Sequence, residues 1–129
     1  MAVNVLIVDD SRTTRGVIKK TLAIAQLPIG EVFEAENGDQ ALELLGRKDV
    51  GVILTDLNMP GTDGESLLRL VREDGVLQDT PVIVISTEGS APRIGELNSL
   101  GMNAYLRKPF TPEQLREVML QILGDQLSE

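Results

Sequence analysis

Apolar residues in this chain fall into two rhythms. Val3 to Val8, Val50 to Thr55 and Pro81 to Ser86 are short, nearly unbroken apolar runs, which read as strands buried on both faces. Between them lie amphipathic stretches. Thr13 to Ala25 carries Val17, Ile18, Leu22 and Ala25 at helical spacing, and Gly64 to Glu73 sets Leu67, Leu68 and Val71 on one side. Leu115, Val118, Met119 and Ile122 repeat the i, i+3, i+4, i+7 face. Helix starts are marked as well. Asn37 and Gln40 form a capping-box pattern for a helix through Leu45, and Pro92 suits the first turn of a short fourth helix. Thr111-Pro112-Glu113-Gln114 offers an N-cap, an N1 proline and a glutamine at N3. Glu31 to Ala35 alternates weakly, as an exposed edge strand does, and Asn103 to Arg107 is a brief fifth strand.

Five β units, each followed by α, predict an α/β fold: one five-stranded parallel sheet with helices on both faces. The most apolar runs belong in the centre and the more polar second and fifth at the edges. With right-handed crossovers this gives the strand order 2-1-3-4-5. The 129 residues suit one domain, 1–129. In such a sheet every strand C-terminus lies on one edge. Asp9-Asp10, Asp56, Ser86-Thr87 and Lys108 all stand at strand ends, so residues far apart in sequence are predicted to meet in one cleft.

Composition narrows the chemistry. Hydrophobic residues make up 42% and aromatics 2%, so the core must be aliphatic. A net charge of -8 argues against nucleic acid or an anionic membrane as a direct partner. The N-terminal run reaches two aspartates too soon for a signal peptide or a membrane span, and the cytoplasm is expected. With no cysteine there are no disulfides or thiolate metal sites. With no histidine there is no Ser-His triad and no imidazole ligand or base. Carboxylates, hydroxyls, lysine, backbone groups and a hard metal remain.

Three clustered carboxylates repel one another, and the usual relief is a cation. An all-oxygen donor set suits Mg²⁺. Lys108 adds a fixed positive charge, and Ser86 adds a hydroxyl. That combination fits a phosphoryl group, with Asp56 as nucleophile forming an acyl phosphate. Taken singly, each aspartate reads as a turn or helix cap, Lys108 as a solvated lysine and Ser86 as a loop hydrogen-bonder. Four strand ends with the right residue types in the right order outweigh those readings.

The motifs VLIVDDS at Val5 to Ser11, LTDLNMPGTDG at Leu54 to Gly64, VIVIST at Val82 to Thr87 and AYLRKPF at Ala104 to Phe110 closely resemble the receiver domain of two-component response regulators, the CheY-like family. The likeness runs from Val3 to Leu123. Its implied fold is flavodoxin-like. CheY and flavodoxin are themselves the standing examples of the 2-1-3-4-5 order, so that order carries no independent weight.

By resemblance, Asp56 accepts a phosphoryl group from a phosphohistidine on a histidine kinase. Mg²⁺ is held by Asp10, Asp56 and the backbone carbonyl of Asn58, with Asp9 acting through water. Lys108 pairs with phosphoryl oxygens, ahead of a Lys108–Pro109 bond that is typically cis in the family. Ser86 and Tyr105 form the switch, which reshapes the face of the fourth helix, fifth strand and fifth helix for an output protein. Asn58 and Glu88 govern phosphoryl lifetime, and the expected self-hydrolysis is moderately quick. Thr87 is bulkier than the residue common at its position. The DDSRTTR start suggests the chemotaxis-like subgroup, and the chain's end at Glu129, soon after the fifth helix, leads to the expectation of a stand-alone regulator, monomeric and not an enzyme beyond its own phosphorylation chemistry. A phosphorelay intermediate, a receiver cut from a longer regulator and an unphosphorylated receiver fold are further readings. The alternative from another class is a Mg²⁺-dependent phosphohydrolase of the haloacid-dehalogenase type. It would need an acid where Asn58 stands and a cap this chain has little room for.

Overall fold

The computed structural model describes residues 2–127. Met1, Ser128 and Glu129 of the expected 1–129 domain lie outside the described residues. In chain order the elements are β1 (Val3–Val8), α1 (Arg12–Ile24), β2 (Ile29–Ala35), α2 (Gly38–Leu45), β3 (Val52–Thr55), α3 (Gly64–Glu73), β4 (Val82–Ser86), α4 (Ala91–Ser99), β5 (Ala104–Arg107) and α5 (Pro112–Leu127). All strand pairs are parallel, in the order β2-β1-β3-β4-β5.

Alternation along the central strands builds two apolar layers. Leu6, Val8, Ile53, Val82 and Val84 face one way and pack with Ala41, Leu45, Leu67, Leu68, Val71 and Leu97 from α2, α3 and α4. Val5, Ile7, Val52, Leu54, Ile83 and Ile85 face the other and pack with Ile18, Leu22, Leu115, Met119 and Leu123 from α1 and α5. Central strands must be apolar throughout because both of their faces are covered. Full burial of one such leucine or isoleucine is worth about 1.5–3 kcal/mol.

The helix caps follow the sequence. Asn37 Oδ1 accepts from Gln40 N, but Gln40 Oε1 reaches back one residue further than expected, to Glu36 N. Thr111 and Gln114 form the reciprocal box at α5, with bonds of 2.9 and 3.1 Å. Ser90 caps α4, with Pro92 in its first turn.

Strand β3 begins at Val52 rather than Val50, and β4 and β5 each begin one residue later than expected. Helix α1 and strand β2 need correction as well. Val17 is 55% exposed, and the buried side of α1 is Arg15, Ile18, Thr21 and Leu22. Helix α1 also begins at Arg12 rather than Thr13, because Ser11 Oγ accepts from Thr14 N and caps it there. Strand β2 begins at Ile29, and its seven residues make it longer than expected. The Asn4 side chain accepts from Glu31 N, and a register shift between Val3 and Val5 lets Val3 pair with Ile29.

Candidate functional site

Register delivers the acids to one place. Leu6, Ile7 and Val8 lie beside Ile53, Leu54 and Thr55, so both strands end level. Asp56 N donates to Val8 O, and Asp9 N donates to Ala35 O, which carries the ladder one residue past each strand. Carboxylate oxygens of Asp9, Asp10 and Asp56 all lie within 4.8 Å of one another. Asp9 is buried, Asp56 half-buried and Asp10 exposed.

Lys108 follows β5 and reaches into this cluster. Its Nζ is 3.0 Å from Asp9 Oδ2 and 3.8 Å from Asp56 Oδ1. The Lys108–Pro109 bond is cis. Burial pushes the Asp56 carboxyl above the usual aspartate range. Lys108 opposes that shift, while Asp9 and Asp10 add to it. The Asp56 Oδ1 atom also accepts from Leu57 N at 2.9 Å.

The loop after Asp56 is anchored at both ends. Leu57 and Met59 are buried, while the Asn58 side chain is exposed. Gly61 turns the chain at φ +75°, a conformation that favours glycine. Thr62 Oγ1 donates to Asp39 Oδ1 at 2.7 Å, and Thr62 O accepts from Gly38 N, so the loop leans on the start of α2. Asp63 caps α3 by accepting from Ser66 N. The Asn58 carbonyl accepts no hydrogen bond among the described residues. The three carboxylates make an all-oxygen set that fits Mg²⁺.

Ser86 ends β4 and is fully buried. Its Oγ accepts from Glu88 N at 3.1 Å, which leaves the hydroxyl hydrogen available. Its carbonyl accepts from Lys108 N and, at 3.2 Å, from the Tyr105 hydroxyl. Ser86 thus links the β4–α4 loop, through its hydroxyl, to β5, through its carbonyl. Burial raises the pKa of Tyr105. A Cβ added at Gly89 would sit 3.3 Å from the Tyr105 oxygen, so the β4–α4 loop lies against this hydroxyl. Thr87 is exposed. The Glu88 carboxylate lies 3.4 Å from Arg93 Nε, and Arg93 also pairs with Glu65 on α3.

Two supporting residues are not among those singled out from sequence. Arg15 Nη1 donates to Asp9 O at 2.7 Å, but a charged residue in an amphipathic stretch reads as solvent-facing. Gly64 opens α3 so close to β3 that a Cβ there would collide with the Asp56 carbonyl and lie 2.9 Å from Leu57 Cα. The glycine in TDGESLL is its one sequence signal.

Residues 5–120 match the response regulator receiver domain family. The chain is 42% identical over 120 residues to a chemotaxis protein CheY homolog of Campylobacter jejuni, covering 92% of this chain and 91% of that one. It is likewise 42% identical over 120 residues to chemotaxis protein CheY1 of Helicobacter pylori, covering 92% and 95%. The solved structure of the chemotaxis response regulator CheY4 of Vibrio cholerae superposes with a TM-score of 0.85 at 32% identity, over 95% of this chain and all of that one. With a five-stranded flavodoxin-like sheet, an acidic cluster at its C-terminal edge and a lysine reaching into it, the chain belongs to the response regulator receiver family.

Proposed function

We propose that residues 1–129 form one receiver domain acting as a phosphorylation-dependent switch of the chemotaxis type, with Asp56 as the phosphoacceptor. The observation that carries this reading is the meeting of Asp9, Asp10 and Asp56 with Lys108, whose backbone N–H donates to the carbonyl of the buried Ser86. The names of the relatives support the chemotaxis assignment.

Receiver domains bind Mg²⁺ at an acidic cluster of this kind. Here Asp10, Asp56 and the Asn58 carbonyl would hold it, with Asp9 acting through water. Bound there, Mg²⁺ supplies charge neutralisation for the phosphoryl oxygens. The rest falls to side chains. An Asp56 oxygen forms a bond to phosphorus as the phosphorus–nitrogen bond of a kinase phosphohistidine breaks, and the departing imidazole takes up a proton. Lys108 places its ammonium against the phosphoryl oxygens. Ser86 donates its free hydroxyl hydrogen to one of them and draws the β4–α4 loop inward.

Because the Ser86 carbonyl already holds Tyr105, this movement reaches β5 and the α4–β5–α5 face, where an output protein binds. Asn58 and Glu88 set how long the phosphoryl group lasts. The protein turns over no external substrate beyond its own phosphorylation and dephosphorylation, and it works as a cytoplasmic monomer. No helix among the described residues is long and apolar enough to cross a membrane. Nothing in the site favours a phosphohydrolase, since Asn58 has no proton to give a leaving group.

Incubation with acetyl phosphate and Mg²⁺, followed by intact mass, tests the reading. One phosphoryl group is expected, and Asp56→Asn or a chelator abolishes it. A phosphoryl group that survives Asp56→Asn overturns the assignment.

A further inference from the structure

We propose that Arg15 is a positioning residue of the acidic site: by holding the Asp9 carbonyl, it fixes the peptide plane that aims Asp10 at the metal position. The inference rests on the functional reading above.

Every polar group of Asp9 is occupied. Its N–H donates to Ala35 O, its Oδ1 accepts from Ser11 N at 2.9 Å, its Oδ2 faces Lys108 at 3.0 Å and its carbonyl accepts from Arg15 Nη1 at 2.7 Å. Asp10 is the opposite case. It is exposed, and no hydrogen bond or ion pair holds its carboxylate among the described residues. The direction of Asp10 is therefore set by its backbone, and the peptide joining Asp9 to Asp10 turns about bonds that Arg15 restrains at the carbonyl.

Arg15 is itself fixed. Its side chain is 9% exposed, and its Nε donates to Glu34 Oε1 of β2 at 3.0 Å. Lys19, one helical turn on, lies 3.3 Å from Glu34 Oε2 and holds that carboxylate from the other side. The hydrogen bond from Arg15 keeps the Glu34 carboxyl below the usual range, which agrees with a settled pair. The guanidinium thus spans edge strand, first helix and acidic turn. A fork with fixed donors can do this, while a lysine ammonium on its flexible stem reaches one acceptor with less direction. A purely structural role, tying α1 to β2, would need only the Glu34 contact; the 2.7 Å bond to Asp9 O goes further.

Partners that orient metal ligands act on affinity rather than on the chemistry of the loaded site. Two measurements separate these. Mn²⁺ binding to the unphosphorylated full chain, read from the free-ion electron paramagnetic resonance signal, gives metal affinity with no phosphodonor present. The rate of phosphorylation by acetyl phosphate as a function of Mg²⁺ gives a half-saturating concentration and a maximum. In Arg15→Met, Mn²⁺ affinity falls and the Mg²⁺ half-point rises by about tenfold. The maximal rate at saturating Mg²⁺ stays within about twofold of the parent, and Arg15→Lys recovers part of the affinity.

Circular dichroism establishes folding. Should Arg15→Met not fold, Arg15→Gln, whose amide is too short to reach Asp9 O, takes its place in both titrations. A folded variant with the parent's Mn²⁺ affinity overturns the proposal. So does a fall in maximal rate with an unchanged Mg²⁺ half-point. A parent chain that binds no Mn²⁺ and takes no phosphoryl group removes the functional reading, and this inference with it. A parent that does both while Arg15→Met matches it removes the inference alone.

Discussion

Lys108 Nζ stands 3.0 Å from Asp9 Oδ2 and 3.8 Å from Asp56 Oδ1, so the lysine is held first by the acid that begins the site rather than by the acid proposed to react. With the site in this state the ammonium neutralises part of the charge that Mg²⁺ would otherwise meet. Its tether to Asp9 leaves it beside Asp56, where a phosphoryl group would arrive.

Lys108→Met is therefore expected to tighten Mg²⁺ binding in the unphosphorylated protein. Both partners are shielded from water, Lys108 with 20% and Asp9 with 3% of the side chain exposed. A gain of about threefold to tenfold matches a partly screened charge. Calorimetric titration with MgCl₂ measures it, and an unchanged or weaker affinity would show that Lys108 does not compete with the metal. The same variant still accepts a phosphoryl group, but the response at Tyr105, read by its ring chemical shifts, is lost.

The raised pKa of Asp56 makes a stability prediction with a definite sign. Burial, then Asp9 and Asp10, disfavour its charged form in the folded state. A carboxyl raised in this way favours folding below its ordinary value of 3.8 and loses that contribution as pH rises through the folded value. As pH rises the folded protein must carry the disfavoured charge, which Lys108 relieves only in part. Asp56→Asn is expected to raise the thermal midpoint in chelator at pH 7, with the difference shrinking as pH falls toward 4. A variant less stable than the parent at pH 7 contradicts the assignment.

Gly64→Ala tests how closely α3 approaches the end of β3. The added methyl meets backbone rather than a flexible side chain, namely the Asp56 carbonyl and Leu57 Cα. Overpacking of this kind costs about 1–3 kcal/mol. A lowered urea midpoint and slower phosphorylation are expected together, because the helix can move away only by dragging the loop that carries Asn58. Stability and rate both equal to the parent would mean that the loop yields freely.

The fold was legible in the sequence where periodicity is strong. The apolar runs ending at Val8, Thr55 and Ser86 are central strands, and Leu67, Leu68 and Val71 face the core because a 3.6-residue repeat permits no other side. The meeting of Asp9, Asp56 and Lys108 was legible for a topological reason, since a parallel sheet turns strand ends into neighbours across 99 residues of sequence. Val17 and Arg15 show where this stops. Helical spacing offers α1 a valine for the buried side, but the structure buries the arginine, whose acceptors come from β2 and from the turn after β1. A tertiary partner decides that choice, and no local pattern contains it. Strand boundaries shift by one or two residues for the same reason, because a ladder ends where its neighbour ends.

The last prediction concerns the lifetime of the phosphoryl group. Glu88 follows Ser86 by two residues and could hold an attacking water, but its carboxylate is turned toward Arg93 Nε at 3.4 Å. Arg93 is in turn held by Glu65 of α3, whose carboxyl it keeps below the usual range, and it lies 3.4 Å from Glu96. One guanidinium thus gathers three acids and keeps the Glu88 side chain on the α3–α4 side of the loop. Losing these half-exposed pairs costs about 1 kcal/mol or less, so Arg93→Met should remain folded. With Glu88 released, hydrolysis of the phosphoryl group is expected to quicken by about twofold to fivefold, a barrier change under about 1 kcal/mol. The pair of variants isolates the cause. Glu88→Gln alone should slow hydrolysis, and adding it to Arg93→Met should remove the acceleration, since the arginine acts through that carboxylate. Decay of the phosphorylated mass after rapid removal of acetyl phosphate gives all four rates. If Arg93→Met accelerates decay equally with Gln at position 88, the arginine works by loosening the loop, and Glu88 plays no part in water attack.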